Sequence, residues 1–441
     1  MNSLQPRTTS AATCTSASLN ERATLVMDVI ADSNHQTNVT SISYAIPYVG
    51  IDHAGGEYVR RHLHHLAKYV NIRLVSFSIE DNLKAKDRVG SYISTLVLVP
   101  RPSWGTTIPG RAIRRVFRSY IPLIPQPDLS WQLTRRDEVK MEISNSDVVE
   151  FQYLEYFHLA KFAHRHSQNV KLVGIIHDIV SERQIRFIAT RSWLVRKTVG
   201  LVSIRSTLFL QRRFCNNMDV LLVFNENTKE KLRQLGVVAD IEIARPPLHD
   251  AVMPSPENLS IAEANNVVFV GAFDRPENEQ GAIWLIEKVW PIVKESVVSA
   301  TLQIVGAHPS EIITGAANSA DDVVVTGYVE DLANFYREAG VVVVPLLRGA
   351  GVKFKTLTAM LWGRPVVATP IGAEGIADDS YYLAVTSDPH EFANAIISGL
   401  TDKDTSSTIA RRAYEWSQSS HDSSQFSDTI RAVYLSESSL Q

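Results

Sequence analysis

The sequence predicts two α/β domains, each a parallel sheet wound with helices on both faces. Three observations carry that expectation. At 441 residues the chain exceeds what one hydrophobic core usually supports. From Val39 onward, short apolar runs alternate with helix-like segments, the pattern of a parallel sheet covered on both faces. The alternation stops at the proline-rich stretch "ARPPLHDAVMPSPENLS" and then restarts. Each proline there pushes its predecessor out of the helical region, so the domain boundary falls in this stretch.

In the first domain, "VTSISYAIPYVG" reads as a strand, followed by a loop with Gly55-Gly56 and the helix "EYVRRHLHHLAKY". Strand-like "IRLVSFS", "STLVLVP" and "SDVVEFQY" come next, then the helix "HLAKFAHRH", the strand "VKLVGIIHD", and "MDVLLVFN" leading into "ENTKEKLRQLG". In the second, "NNVVFVGAF" precedes the helix "NEQGAIWLIEKVWPIVKE". It is followed by "ATLQIVG", "DDVVVTGY", helix "DLANFYREAG", "VVVVPLL", helix "KTLTAMLWG" and "PVVAT". The expected division is a disordered Ser/Thr-rich tail and lead-in over 1–35, a first domain over 36–250 and a linker over 251–265. A second domain spans 266–400, and C-terminal helices over 401–441 pack back toward the first.

Composition is that of a folded protein, with 45% hydrophobic and 21% charged residues. Two cysteines give neither a disulfide framework nor metal-ligand spacing, which points to a reducing cytoplasm. No apolar run approaches the ~20 residues that span a bilayer, so the protein is expected to be cytoplasmic, at most peripheral to a membrane. Charge is uneven: residues 1–250 hold 32 Lys+Arg against 23 Asp+Glu, and the remainder 12 against 24. The two halves therefore suit different partners.

The stretch "VVVPLLRGAGVKFKTLTAMLWGRPVVAT" is the most informative. A buried-looking strand breaks into Gly349 and Gly351, flanked by Arg348, Lys353 and Lys355, and resumes as a short apolar helix. Ligands of open α/β sheets sit beyond the carboxyl ends of the strands, where a helix start offers unpaired N–H groups and partial positive charge. Glycines let the backbone approach such a ligand, and cations surround it. The pattern is neither a dinucleotide fingerprint, since Phe354 stands where a third glycine would fall, nor a P-loop.

Read with "FVGAFDRPENEQGAIWLIEKVWPIV", "LQIVGAHP", "VVVTGYVEDLANFYREAG" and "RRAYEWSQSSHDSSQFSDTIRAVYL", this turn resembles the donor half of glycosyltransferase family 4, the glycosyl transferases of group 1. That is a retaining family with GT-B architecture, and "GAGVKFK" is similar to its "GAGxKxK" type. The resemblance covers most of residues 266–435 in order. It implies two Rossmann-like domains facing across a cleft, a nucleotide-diphosphate sugar held by the second and a glycan or glycolipid acceptor by the first.

By that resemblance Gly349, Ala350, Gly351 and Lys353 cradle the diphosphate, with Arg348 beside them. Tyr328 and Val329, at the end of the neighbouring strand, bind the base. The family usually carries two glutamates about this turn, where this chain has Ala350 and Thr358. The second glutamate would accept from ribose hydroxyls, a charged hydrogen bond worth roughly 1.5–3 kcal/mol. Gly55 and Gly56 match the glycine loop that such enzymes place over the diphosphate, and His177, at a strand end before Asp178, lies beside the donor sugar in similar proteins. Retaining transfer there is pictured as front-face attack, with Lys353 and N–H groups stabilising the departing diphosphate. Neither a separate base nor a metal is needed, and no cofactor beyond the nucleotide-sugar is implied.

His62, His64 and His65 do not share one helix face as metal ligands at i,i+4 would. Arg111, Arg114, Arg115 and Arg118 interleave with Phe117 and Tyr120, and "RQIRFIATRSWLVRKTVGLVSIRSTLFLQRRF" repeats the mixture. Such segments suit a lipid-linked acceptor or the inner surface of an anionic membrane. The plainer reading is a pair of helices whose apolar faces pack on the sheet while the arginines are solvated. Nucleic acid fits less well, because the partner domain is acidic and no nucleic-acid motif occurs. Two rival functions stay open: a nucleotide-sugar epimerase of the same fold, and a non-catalytic sugar-nucleotide binder, for which Ala350 and Thr358 are the motive.

Overall fold

The computed structural model describes residues 36–48, 51, 54–193, 196–245, 265–349 and 351–435. The expected tail, the linker apart from its last residue, and Ala350 lie outside these. The first lobe holds β1 (Asn38–Ile42), β2 (Asn71–Phe77), β3 (Ile93–Val99), β4 (Val148–Phe151), β5 (Lys171–Ile175), β6 (Val220–Val223) and β7 (Asp240–Ile243). They form one parallel sheet in the order β3-β2-β1-β4-β5-β6-β7.

The second lobe holds β8 (Asn266–Val270), β9 (Thr301–Val305), β10 (Val323–Gly327), β11 (Val341–Val344), β12 (Val366–Ala368) and β13 (Ala384–Val385). These too are parallel, in the order β10-β9-β8-β11-β12-β13. Both sheets are doubly wound, with the strand order reversing between β1 and β4 and between β8 and β11. Crevices open at such reversals, beyond the carboxyl ends of the strands.

Helices on both faces explain the all-valine β11, which is buried at every position. Each buried valine contributes roughly 1.5–3 kcal/mol. The long helical stretch that begins at Pro276 carries a π turn over Leu285–Val289, where Pro291 withholds the N–H that an α-helix would use. β7 and β13 escape the sequence reading because they are short edge strands.

The C-terminal helices divide between the lobes. Lys403–Ser420 stays on the second lobe, where Trp416 packs on Leu357 and Leu361. Only Ser423–Leu435 crosses back, laying Phe426, Ile430, Val433 and Tyr434 on the first-lobe face that contains Tyr58 and Leu63. A buried polar network fastens it there. Glu150 on β4 accepts from Ser41 Oγ (2.7 Å) and from the Tyr434 hydroxyl, and lies 2.7 Å from His62 Nε2. Burial by itself would raise the Glu150 carboxyl, but the His62 charge and the hydrogen bonds outweigh it and leave the group lowered. His62 is thus a core residue serving a carboxylate. Among the described residues no three His, Cys, Asp or Glu side chains are placed to share a metal.

Candidate functional site between the lobes

The turn from β11 into the helix Phe354–Leu361 reaches across to the first lobe. Gly349 and Gly351 have φ of 132° and 75°, the left-handed region that side chains resist. Space is equally demanding, for a Cβ on Gly351 would stand 2.9 Å from the His177 carbonyl oxygen. The turn therefore presses its backbone against the carboxyl end of β5. No side chain caps the helix that follows, and of its first three N–H groups that of Thr356 donates to the Lys353 carbonyl (2.9 Å), which leaves those of Phe354 and Lys355 for a ligand.

Arg186, on the first-lobe helix Val180–Ala189, completes the junction. Its Nη1 donates to the Gly349 carbonyl and its Nη2 lies 2.6 Å from Glu374 Oε1. Lys353 Nζ donates to the Gly351 carbonyl (2.5 Å) and approaches Glu374 Oε2 to 3.9 Å. Asn225 Nδ2 donates to the Gly375 carbonyl at 3.1 Å. The void left between Asp178, Lys231, Gly351 and Glu374 is about 30 Å³, room for a water or two. Glu374 thus holds a carboxylate among cations that converge on one point.

Burial chiefly lowers the Lys353 amine, to about 8; Glu374 and Asp178 oppose the shift and Arg186 assists it. Lys355 is lowered further, to about 7, by burial and then by Lys353. Its Nζ donates to Asn278 Oδ1 (2.8 Å) and lies 4.9 Å from the centre of the Phe269 ring. Among the described residues Lys355 has no carboxylate within ion-pair distance. Two partly desolvated amines, one lacking a counter-charge, are poised to gain protons when an anion arrives.

His177 and Asp178 face this turn from the first lobe. The imidazole stacks on Tyr153 (centroids 4.4 Å) and meets Tyr58 and Phe224 edge-on at 5.0 and 5.4 Å. Asp178 accepts from Arg183 (2.8 Å), which also reaches Glu155 (2.6 Å). Burial raises the Asp178 carboxyl, against the pull of Arg183. Gly55 and Gly56 form no loop: both lie in the first turn of the helix Ala54–Leu66, because small residues let that helix close over Tyr153. A Cβ on Gly55 would stand 3.0 Å from the Tyr153 hydroxyl. Contacts accordingly run from Gly55 through Tyr153 and His177 to Gly351 and Lys353.

Other expected residues lie elsewhere. Tyr328 is exposed and follows β10, an edge strand; the neighbours of β11 are β8 and β12, so Tyr328 and Val329 are not at the adjoining strand end. Arg348 is exposed, and Thr358 is half-buried one turn into the helix. Arg114 is structural, lying 2.9 Å from the buried Asp128, whereas Arg111 and Arg115 are exposed. Arg118 borders a first-lobe cavity of about 610 Å³ that also touches Tyr44, Tyr153, Glu155, Arg183 and Phe187. That cavity adjoins the interlobe junction through Tyr153, which stacks on His177, and Arg183, which pairs with Asp178. It escaped the sequence reading because its walls come from four separate segments.

Comparison with known proteins follows this geometry. Residues 264–402 match the family described as glycosyl transferases group 1. A 173-residue stretch is 32% identical to an uncharacterized 44.6 kDa protein in the cps region of Klebsiella pneumoniae, covering 37% of this chain and 45% of that protein. The chain thus spans under half the length of this curated relative. Among solved structures, HepE of Anabaena, crystallised with UDP, superposes with a TM-score of 0.65 at 14% identity, over 91% of this chain and 100% of that one. TarM of S. aureus gives 0.64 at 10% identity, over 91% and 99%. The trehalose-6-phosphate synthase OtsA gives 0.62 at 11%, over 91% and 99%. At such identities the likeness is one of fold.

Proposed function

We propose that this chain, whose second lobe carries the glycosyl transferases group 1 sequence on a GT-B fold, moves a sugar from a nucleotide-diphosphate donor to an acceptor hydroxyl with retention of configuration. One observation carries the reading: Lys353 and Lys355, lowered by burial, stand beside an uncapped helix start and two left-handed glycines at the interlobe crevice. That is a site for a dense anion, and a diphosphate matches its charge and span.

In this reading the amides of the 349–355 turn and the two lysines receive the diphosphate, and Arg186 turns from Glu374 to join them. Charge that grows on the departing diphosphate meets fixed cations in a partly desolvated pocket, where each interaction is stronger than in water. Those cations supply what a divalent metal would otherwise supply. A phosphate oxygen takes the proton of the attacking hydroxyl, which leaves His177, gripped by three aromatic rings, to orient the sugar. The acceptor, a glycan or glycolipid, enters through the cavity bordered by Tyr44, Glu155 and Phe187. Uridine nucleotides are the first donors to try, since HepE was crystallised with UDP and with UDP-glucose.

The test incubates the protein with a panel of nucleotide sugars and follows nucleoside diphosphate release, with and without acceptor extract. Acceptor-dependent release supports transfer, and interconversion of the sugar without release identifies an epimerase. Binding without turnover favours a second reading, a non-catalytic sugar-nucleotide subunit, which Thr358 in the place of the usual ribose-binding glutamate motivates.

A further inference from the structure

Two helices of the first lobe carry their apolar residues on the outside. In Ile108–Tyr120 only Gly110 is buried, while Ile108, Ile113 and Val116 are 74%, 43% and 52% exposed. At 100° per residue these occupy one arc, and Arg115, Arg111 and Arg118 flank it on one side. Helix Leu201–Cys215 is inverted over much of its surface, although Leu210 and Phe214 still pack on the first-lobe core. Its buried positions are Ser203, Thr207, Gln211 and Cys215, whereas Leu201, Val202 and Phe209 face solvent, Val202 and Phe209 at 69% and 63%.

Polar contacts hold the pair together from within. Ser203 Oγ donates to the Tyr120 carbonyl (2.9 Å), and Gln184 Nε2 donates both to the Ser119 carbonyl (2.8 Å) and to Ser203 Oγ (2.7 Å). These helices therefore meet each other and helix Val180–Ala189 through polar groups. The plainer sequence expectation, that their apolar sides pack on the sheet, fails for Ile108, Ile113, Val116, Leu201, Val202 and Phe209, which are exposed.

Charge identifies what covers such a surface. Residues 89–127 and 183–218 contain no Asp or Glu, yet hold five and eight Lys or Arg, in a chain whose formal net charge is −3. An apolar face rimmed by cations only, on a helix that lies along the protein surface, fits the headgroup region of an anionic bilayer. No described helix is long and apolar enough to cross one. We propose that helices Ile108–Tyr120 and Leu201–Cys215 seat this chain on an anionic lipid surface, with Val116, Val202 and Phe209 entering the acyl boundary and Arg111 and Arg115 meeting the headgroups. The cavity bordered by Arg118 and Ser119 opens beside that seat, so an acceptor borne on a lipid reaches it without leaving the membrane; this last point rests on the transferase reading.

Vesicle flotation of the full chain tests the seat without any sugar transfer. Binding is expected to phosphatidylcholine vesicles doped with phosphatidylglycerol, and not to phosphatidylcholine alone. At about fivefold per basic residue near the surface, the pair Arg111→Ser and Arg115→Ser weakens binding about 25-fold. The pair Val202→Asp and Phe209→Asp abolishes it. All four side chains are exposed, so melting temperature and uridine diphosphate affinity should stay at wild-type values. Failure to bind doped vesicles overturns the proposal, as does binding that ignores both substitution pairs. So does a dimer in sedimentation that Phe209→Asp dissolves, since the occupant would then be a second copy.

Discussion

Replacing Lys355 by methionine separates an anion site from a merely structural lysine. In the free chain the Lys353 and Lys355 amines titrate at about 8 and about 7, both lowered first by burial. At pH 8 the former is half protonated and the latter about one-tenth, so a diphosphate that saturates both draws in about 1.4 protons. The nucleotide contributes none, because a terminal phosphate with a second pKa of about 6 is already ionised. Calorimetry of uridine diphosphate binding in two buffers of different ionisation enthalpy counts those protons. In Lys355→Met the uptake should fall to about 0.5, and affinity should drop about ten- to hundredfold, the loss of one charged hydrogen bond worth roughly 1.5–3 kcal/mol. Wild-type affinity should also decline as pH rises through 7 and 8. Stability moves the other way. The unfolded amine keeps its proton to about 10.5, so the free protein gains stability as pH rises above the lowered value, and Lys355→Met should melt higher than wild type at pH 6. Heats that do not depend on the buffer, or an uptake unchanged by the substitution, refute the reasoning.

Three further outcomes follow from the geometry. Tyr434→Phe removes a hydrogen bond to the ionised Glu150 and should cost about 1.5–3 kcal/mol in urea unfolding. Because the Glu150 carboxyl is lowered in the fold, its stabilisation is complete above the ordinary glutamate value of 4.5 and is lost as pH falls through the folded value, so wild type and variant should converge in acid. Gly351→Ala, at φ 75° and 2.9 Å from the His177 oxygen, should wedge the lobes apart; turnover falls at least about tenfold while far-ultraviolet circular dichroism is unchanged, and full turnover would contradict the contact. Thr358→Glu should tighten donor binding by about tenfold or more if a ribose contact is restored. Unaltered or weaker binding would show that the nucleotide is held in another way.

Local chemistry was legible in the sequence, and contacts distant along the chain were not. The 349–355 turn could be read because glycine spacing, lysines and a strand-to-helix switch lie within a few residues, and His177 because a strand visibly ends beside it. The sequence marked Lys355 as a cation but gave no sign of its desolvation, which depends on Phe269 and Asn278 some eighty residues earlier. Arg186 and Glu374, 188 positions apart, left no trace as a pair. For the stretch that holds helix Leu201–Cys215 the usual rule, apolar inward, was one of two readings the sequence left open, the other being contact with a membrane or a lipid-linked acceptor. That rule fails where Ser203 and Gln211 satisfy buried backbone and side-chain groups of neighbouring elements, Tyr120 and Ser181 among them. The Gly55-Gly56 turn was misread for a related reason, since glycine signals a loop by propensity while here it permits a close helix-to-ring contact.

The carboxylate of Glu374 holds the position that the proposed diphosphate needs, and this makes Glu374→Gln an informative substitution. Arg186 and Lys353 both direct their charge to it, so an incoming diphosphate must first break the Arg186 pair. That pair is partly exposed, and solvent screening limits its worth to about 1 kcal/mol. Without it, donor affinity at pH 7 should rise about fivefold. Glu374 also raises the Lys353 amine, so its removal lowers that amine below about 8 and lets Lys353 shed its proton earlier as pH rises. The gain at pH 7 should therefore shrink and vanish by about pH 9, a crossing that a general loosening of the crevice does not produce. Weaker binding at pH 7 would mean that Glu374 touches the donor itself, and the carboxylate would then belong to the site rather than compete for it.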